Sequence, residues 1–200
     1  MNNVEWTPEW LAETIKLLRT HGSDTQFIEV KKAHGGYPGS LDATLGSFSN
    51  SSTGGIIICG LDENNDFAPV GVYDPADLDK TLGNKLRRGL KPPNTMESGT
   101  ILYEDAKLFV AAVPPLPPYE RPAYIGGKAY VRSGDGDHEM SRHETDLMVA
   151  QRTRTGFDEE PVEYTSLADL DEGLKTAYLR DVRAKSRRLA GSSDEEVLRR

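Results

Sequence analysis

Residues 54–65 read GGIIICGLDENN. The apolar run from Ile56 to Leu61 is short and rich in β-branched side chains. A glycine pair bounds it on one side and Asp62-Glu63-Asn64-Asn65 on the other. Such a run is a strand buried on both faces, as at the centre of a sheet. Cys59 lies inside it and reads as a small core residue. Upstream, TQFIEVK (residues 25–31) is a second strand. Alternation places Phe27, Glu29 and Lys31 on one face and Ile28 and Val30 on the other. Between the two strands, Leu41, Leu45 and Phe48 mark one side of a helix, with Ser40 in position to cap it. The order strand, helix, strand is the nucleus of a mixed α/β domain.

Thr7-Pro8 opens an N-terminal helix with an apolar stripe of Leu11, Ile15 and Leu18, beside Trp10, ending at His21-Gly22. Phe67 to Val72 reads as a strand, and Asp74-Pro75 starts a helix carrying Leu78, Leu82 and Leu86. Thr100 to Glu104 and Lys107 to Val113 form a hairpin around Asp105-Ala106. VPPLPPYERP (113–122) must be an extended connector, because so many prolines exclude a central strand. Ala123 to Ile125 and Ala129 to Val131 are expected to pair around Gly126-Gly127, with a turn at Ser133 to Asp137. Ser141-Arg142-His143-Glu144 is a capping box leading a helix to about Arg154. After Gly156 the texture changes. FDEEPVEY is an acidic loop, Leu167, Leu170, Leu174, Tyr178 and Val182 space a long helix, and residues 192–196 begin another.

The chain of 200 residues carries 24 basic and 32 acidic side chains, a net charge of −8. That balance excludes a uniformly basic nucleic-acid binder but leaves room for a local basic face. Positive charge concentrates at Lys80, Lys85, Arg87, Arg88 and Lys91, and again from Arg180 to Arg188; both stretches read as solvated helix faces. One cysteine excludes a disulfide framework or a Cys-rich zinc module. No apolar run approaches the ~20 residues a bilayer span needs, and no secretory signal is visible. The expected compartment is therefore the cytoplasm, with no membrane partner.

Standard nucleotide, serine-hydrolase, zinc-protease and dithiol motifs are absent. The four histidines, at 21, 34, 138 and 143, lack metal-ligand spacing. Two local patterns could carry chemistry. HGGYPGS (34–40) precedes a helix, so backbone N–H groups around Gly35, Gly36, Gly39 and Ser40 could cradle a nucleotide phosphate, although the lysine of a P-loop is missing. Asp24 and Glu29 flank the first strand, and Asp62 follows the central one. If the strands are neighbours, these three acids could converge on one divalent cation.

Taken in order, an acid before IEVK, a helix ending in SFSNSSTGG, the strand IIICGLDE, PVGV, RPAYIGGKAYVRSGDGD and SRHE resemble the Schlafen-type AlbA domain. The family pattern runs E-x4-E-F-K, A-F-A-N-T-x-G-G, I-G-V-D, V-G-V, R-P-x-Y and Y-x-R-x-G, and the likeness spans residues 20–155. The resemblance implies an α+β fold, a mixed β-sheet with flanking helices, followed by a helical C-terminal extension. It divides the chain into an N-terminal helix (1–21), the AlbA-type domain (22–155), and a linker with helical extension (156–200) that reads as the start of a further domain. It implies DNA binding in transcriptional regulators, often with an ATP-binding label, and RNA cleavage by three acids in animal relatives. Carried over, Asp24, Glu29 and Asp62 are the catalytic and metal-binding acids. Lys31, Arg121 and Arg132 are the nucleic-acid contacts, and Gly54 and Gly55 the structural glycine pair. Asp24 shortens the first acid by one methylene, and SFSNSS replaces A-F-A-N-T. Three functions are thus expected, in this order: a nucleic-acid-binding regulatory module, directed at DNA or RNA and without chemistry of its own; a nuclease using Mg2+ or Mn2+; and an ATP-binding protein. A second copy of the chain is a further candidate partner.

Overall fold

The structure is a computed structural model that describes residues 6–153, 169–186, 189 and 191–198. The chain divides into two compact units, 1–155 and 156–200. The first is built on a four-stranded sheet in the order β1 (Ile28–Lys31), β2 (Gly55–Cys59), β7 (Ala106–Val113), β6 (Glu97–Tyr103). Helix α1 (Pro8–His21) is capped by the Thr7 hydroxyl, which accepts from the Trp10 N–H at 3.2 Å, and it ends on Gly22 at φ +74°. Strand β1 (Ile28–Lys31) leads through α2 (Leu41–Asn50) into β2 (Gly55–Cys59), and the two strands pair in parallel with Glu29 opposite Ile57. Gly60, at φ +105°, breaks the central run, so Leu61–Asp62 (β3) turns away to pair with Ala68–Pro69 (β4). The strand expected over 67–72 shrinks to those two residues because Asp66 and Phe67 sit in left-handed turn conformations.

Helix α3 (Pro75–Asn84), capped by Asp74, widens its ladder into a π-turn over Lys85–Gly89 before β5 (Leu90–Lys91). Then β6 (Glu97–Tyr103) and β7 (Ala106–Val113) form the expected hairpin, antiparallel, with β7 inserted beside β2. The small hairpin expected over 123–131 is rearranged. The turn at Gly126-Gly127 closes through Ile125 and Lys128 only, β8 (Tyr124–Ile125) pairs with β5, and β9 (Tyr130–Ser133) pairs with β10 (Gly136–Glu139). Helix α4 (Arg142–Thr153) starts at the capping box: the Ser141 N–H donates to Glu144 at 2.7 Å and the Glu144 N–H donates back to the Ser141 hydroxyl at 3.3 Å.

Two apolar layers sandwich the sheet. Ile57, Cys59, Phe109 and Ala111 meet Leu45 and Phe48 of α2 and Leu78 and Leu82 of α3. On the opposite face Val30, Ile58, Leu108 and Val110 meet Leu11, Ile15 and Leu18 of α1. At about 25 cal/mol per Å² these faces supply most of the drive to fold. At the glycine pair Gly54 takes φ +76°, and a Cβ on Gly55 would stand only 2.4 Å from the Phe48 ring.

In the second unit, α5 (Glu172–Lys185) is capped by Asp171, and Leu179 is its buried residue, while Leu170, Leu174 and Tyr178 of the expected stripe are exposed. Arg183 ties it to α6 (Asp194–Leu198) through Asp194 at 2.7 Å. Arg154, the FDEEPVEY loop, Leu167, Arg187 and Arg188 lie outside the described residues. No described helix is long and apolar enough to cross a membrane.

Candidate functional site

β1 forms one edge of the sheet, and side chains occupy its outward backbone groups. The Ile28 N–H donates to the Thr25 hydroxyl at 3.1 Å, and the Ile28 carbonyl accepts from the Thr25 N–H. The Val30 N–H donates to both oxygens of Asp24, at 3.1 and 3.2 Å. Asp24 thus stands where a neighbouring strand's carbonyl would stand, a way of closing an edge against unwanted pairing. Burial pushes its carboxyl up to about 7; the Val30 N–H opposes that rise, Glu29 and Glu63 add to it, and Lys31 lessens it.

Arg132 of β9 reaches the same edge. Its side chain is 2% exposed. Nε donates to the Thr25 carbonyl at 3.0 Å, Nη2 to the Ile28 carbonyl at 3.3 Å and Nη1 to Asp137 at 3.1 Å. Nη1 also lies 2.7 Å from Glu29, Nη2 lies 4.0 Å from Asp24, and the guanidinium sits 5.3 Å above the Phe48 ring. Asp137 in turn accepts from Thr44 at 2.7 Å and Ser47 at 2.5 Å on α2. Arg132 therefore binds β1, α2 and the β9–β10 ribbon together, with its fork directed at partners inside the fold. The expected phosphate contact is instead a buried structural clamp. Beside it, Lys31 holds the other oxygen of Glu29 at 2.5 Å. Burial works against the Lys31 charge, but the Glu29 hydrogen bond, with Glu29, Asp24 and Glu63 nearby, holds it above its ordinary value.

The remaining expected residues are scattered. Asp24 and Glu29 come together around Arg132, but Asp62 turns to Lys32 at 2.6 Å. Among the described residues no group of three or more His, Cys, Asp or Glu is arranged to hold a metal ion. The expected three-acid centre is not assembled, because each of its members is committed to a cation or a backbone amide. In the 34–40 loop the Gly36 N–H donates to the Ala33 carbonyl at 3.2 Å, which takes one amide from the expected phosphate cradle. The N–H groups of Leu41, Asp42 and Ala43 bond back to Pro38, Gly39 and Ser40, and Ser40 makes no side-chain cap. The Asp42 carboxylate further fills the first turn with negative charge, receiving Tyr37 at 2.5 Å and Lys85 at 2.7 Å. Arg121 donates to the Leu116 carbonyl at 2.6 Å, and Arg152 donates to the carbonyls of residues 120–122, so this part of the proline-rich connector is braced by arginines.

A different surface carries open charge. Lys80 on α3, Arg87 and Arg88 on the π-turn and Lys91 on β5 are all exposed. None of the four side chains has an ion pair or hydrogen bond among the described residues. Hollows of about 480 Å³ and 430 Å³ flank the turn, the first lined by Thr81, Lys85 and Arg88 and the second by Lys80, Asn84 and Arg87. The clustering of five cations in twelve residues is visible in the sequence; that only Lys85 of the five meets an acid among the described residues is not. A helical stretch ending in a π-turn is a recurrent setting for functional sites.

Comparison with known proteins agrees with this architecture. The family model described as Schlafen, AlbA_2 matches residues 24–141. The N-terminal domain of a RecG-related protein from Nitrosomonas europaea is similar in structure, with a TM-score of 0.50 and 24% identity over 66% of this chain and 94% of that one. The DIP2311 protein of Corynebacterium diphtheriae gives a TM-score of 0.49 at 18% identity, over 96% of this chain and 41% of that one. No curated protein matches. With the family pattern threaded through the β1 edge, the glycine pair and the arginine clamp, the chain belongs to the Schlafen AlbA_2 family.

Proposed function

We propose that the first unit is a nucleic-acid-binding module that grips sugar–phosphate backbone and performs no bond cleavage of its own. The observation that carries this reading is the cluster of Lys80, Arg87, Arg88 and Lys91, exposed and unpaired in a protein of net charge −8. Elsewhere in this unit Lys31, Lys32, Lys128 and Arg132 meet carboxylates, as does Lys85 within the cluster, and the exposed Lys16 and Lys107 stand singly, so the four open cations close together in sequence are the place where a polyanion gains most. Their arrangement supports the same reading. Lys80, Asn84 and Arg87 line one hollow, and Arg88 faces the other, so charge is displayed along the end of α3 rather than at one point. The expectation of nucleic-acid binding carried by the family resemblance points the same way. Asp24 and Glu29, which a nuclease would need for metal, serve the sheet edge and the Arg132 clamp in this reading.

The test is titration of a fluorescent oligonucleotide at several salt concentrations. Four phosphate contacts predict a log–log salt slope of about −2.8 for a single strand. Removing two cations with Arg87→Ala/Arg88→Ala should flatten it by about 1.4. An unchanged slope in the double variant would reject this surface.

A further inference from the structure

We infer that the basic surface takes single-stranded nucleic acid, with Tyr124 as the platform on which a base stacks; this rests on the binding reading just given. In the two-stranded ribbon of β5 and β8, Lys91 is directly opposite Tyr124 and Leu90 directly opposite Ile125. Opposed residues of an antiparallel pair point to the same side, about 5 Å apart at Cβ. Leu90 and Ile125 are buried in the core, so the ribbon is anchored by its inner face. Its outer face therefore presents an exposed cation and an exposed aromatic side by side on a fixed support.

Tyr124 is 37% exposed. Among the described residues its ring has no aromatic partner, no cation lies over it, and its hydroxyl makes no hydrogen bond. This differs from Tyr37, which is packed on the core, bonded to Asp42 and covered by Lys85. Tyr124 has an unused face next to an unused charge. From Arg88 to Lys91 the chain can span no more than about 11 Å, so the phosphate contacts and the ring belong to one short stretch of ligand.

The chemistry selects the strandedness. A duplex keeps its bases stacked and paired and offers an outside surface only of phosphate, to which a tyrosine ring contributes little. A single strand offers free base faces, and stacking on an aromatic side chain tolerates any sequence because every base has a π-face. Phosphates held by Lys91, Arg88 and Arg87 would bring one base over the ring.

The decisive experiment measures binding of the full chain to four fluorescent probes of equal length: single-stranded DNA, single-stranded RNA, duplex DNA and an abasic deoxyribose-phosphate strand. Tyr124→Ala, Tyr124→Phe and Arg87→Ala/Arg88→Ala are compared with the wild type, with circular dichroism confirming the fold. Tyr124→Ala should weaken at least one single strand by on the order of ten-fold while leaving duplex and abasic probes within two-fold, and Tyr124→Phe should keep wild-type affinity. Loss of binding in the arginine variant together with unchanged affinity in Tyr124→Ala would overturn the stacking proposal and keep the binding surface. Binding to none of the probes at low salt would overturn both.

Discussion

Replacing Arg132 by methionine separates a structural clamp from a ligand contact. Methionine keeps the length and apolar stem but removes the fork. The side chain is 2% exposed and its nitrogens serve the carbonyls of Thr25 and Ile28 and the carboxylates of Glu29 and Asp137 at 2.7 to 3.3 Å. The substitution leaves Glu29 with Lys31 alone, Asp137 with two hydroxyls, and the Ile28 carbonyl with the Thr25 N–H. Removing one partner of a buried ion pair typically costs 3–5 kcal/mol, because the remaining charge stays desolvated and unpaired. For a domain of this size each kcal/mol lowers Tm by about 2–4 °C. A loss of roughly 6–20 °C is therefore expected, together with a lower urea midpoint. Trp6 and Trp10, packed edge to face 5.2 Å apart against the α1 layer, provide the fluorescence signal. Arg132→Lys should recover little, since an ammonium cannot span carbonyls and carboxylates as the fork does. If Arg132→Met unfolded within 1 kcal/mol of the wild type while abolishing oligonucleotide binding, the clamp assignment would be refuted and the arginine would be a phosphate contact after all.

Two further outcomes follow from the same geometry. The Asp24 carboxyl titrates near 7 in the folded chain against about 3.8 unfolded, so the folded state holds the extra proton between those values and stability through this group falls as pH rises from about 4 to about 7. Asp24→Asn keeps an acceptor for Val30 and removes the titration; urea midpoints at pH 5 and pH 8 should differ less in the variant than in the wild type, and equal differences would remove Asp24 as the source. Gly55→Ala places a methyl group 2.4 Å from the Phe48 ring, the same ring that Arg132 covers, so overpacking of about 1–3 kcal/mol or more is expected in denaturant melts. A neutral Gly55→Ala would mean that Phe48 can move without loss.

The sheet was legible where a period or a cap writes itself locally. The β-branched run 56–59, the alternation about Glu29 and Lys31, the Thr7 and Asp74 caps and the Ser141–Glu144 box all depend on residues within a few positions of one another. Arg132 was legible only as a motif, because its partners Thr25 and Ile28 lie 107 and 104 residues away and nothing local marks a surface-looking Y-x-R-x-G arginine as buried. The 123–131 pairing failed for the same reason: the true partner of β8 is Leu90–Lys91, far upstream. Charge told half its story. The basic run at 80–91 could be counted, yet whether each cation had an acid beside it depended on Asp42 for Lys85 and on no described residue for Arg87, Arg88 and Lys91.

The acid pair shows how one spacing can serve architecture before chemistry. Thr25 turns its N–H back onto Ile28, which brings the side chain of Asp24 alongside Val30, six positions on. Glu29, on the face opposite Val30, then meets Arg132 and Lys31 over α2. Two acids five residues apart thus reach one guanidinium from different directions, one from the edge and one from the face. A metal bound to the same oxygens would have to displace Arg132, and with it the bridge between β1 and β9–β10. Loss of that clamp would take the Arg132 donor from the Thr25 carbonyl and leave Asp137 to its hydroxyl partners on α2, so metal binding there would compete with folding. The open cations around Arg88 ask for no such exchange: they can meet a phosphate backbone while every buried pair in the domain stays closed.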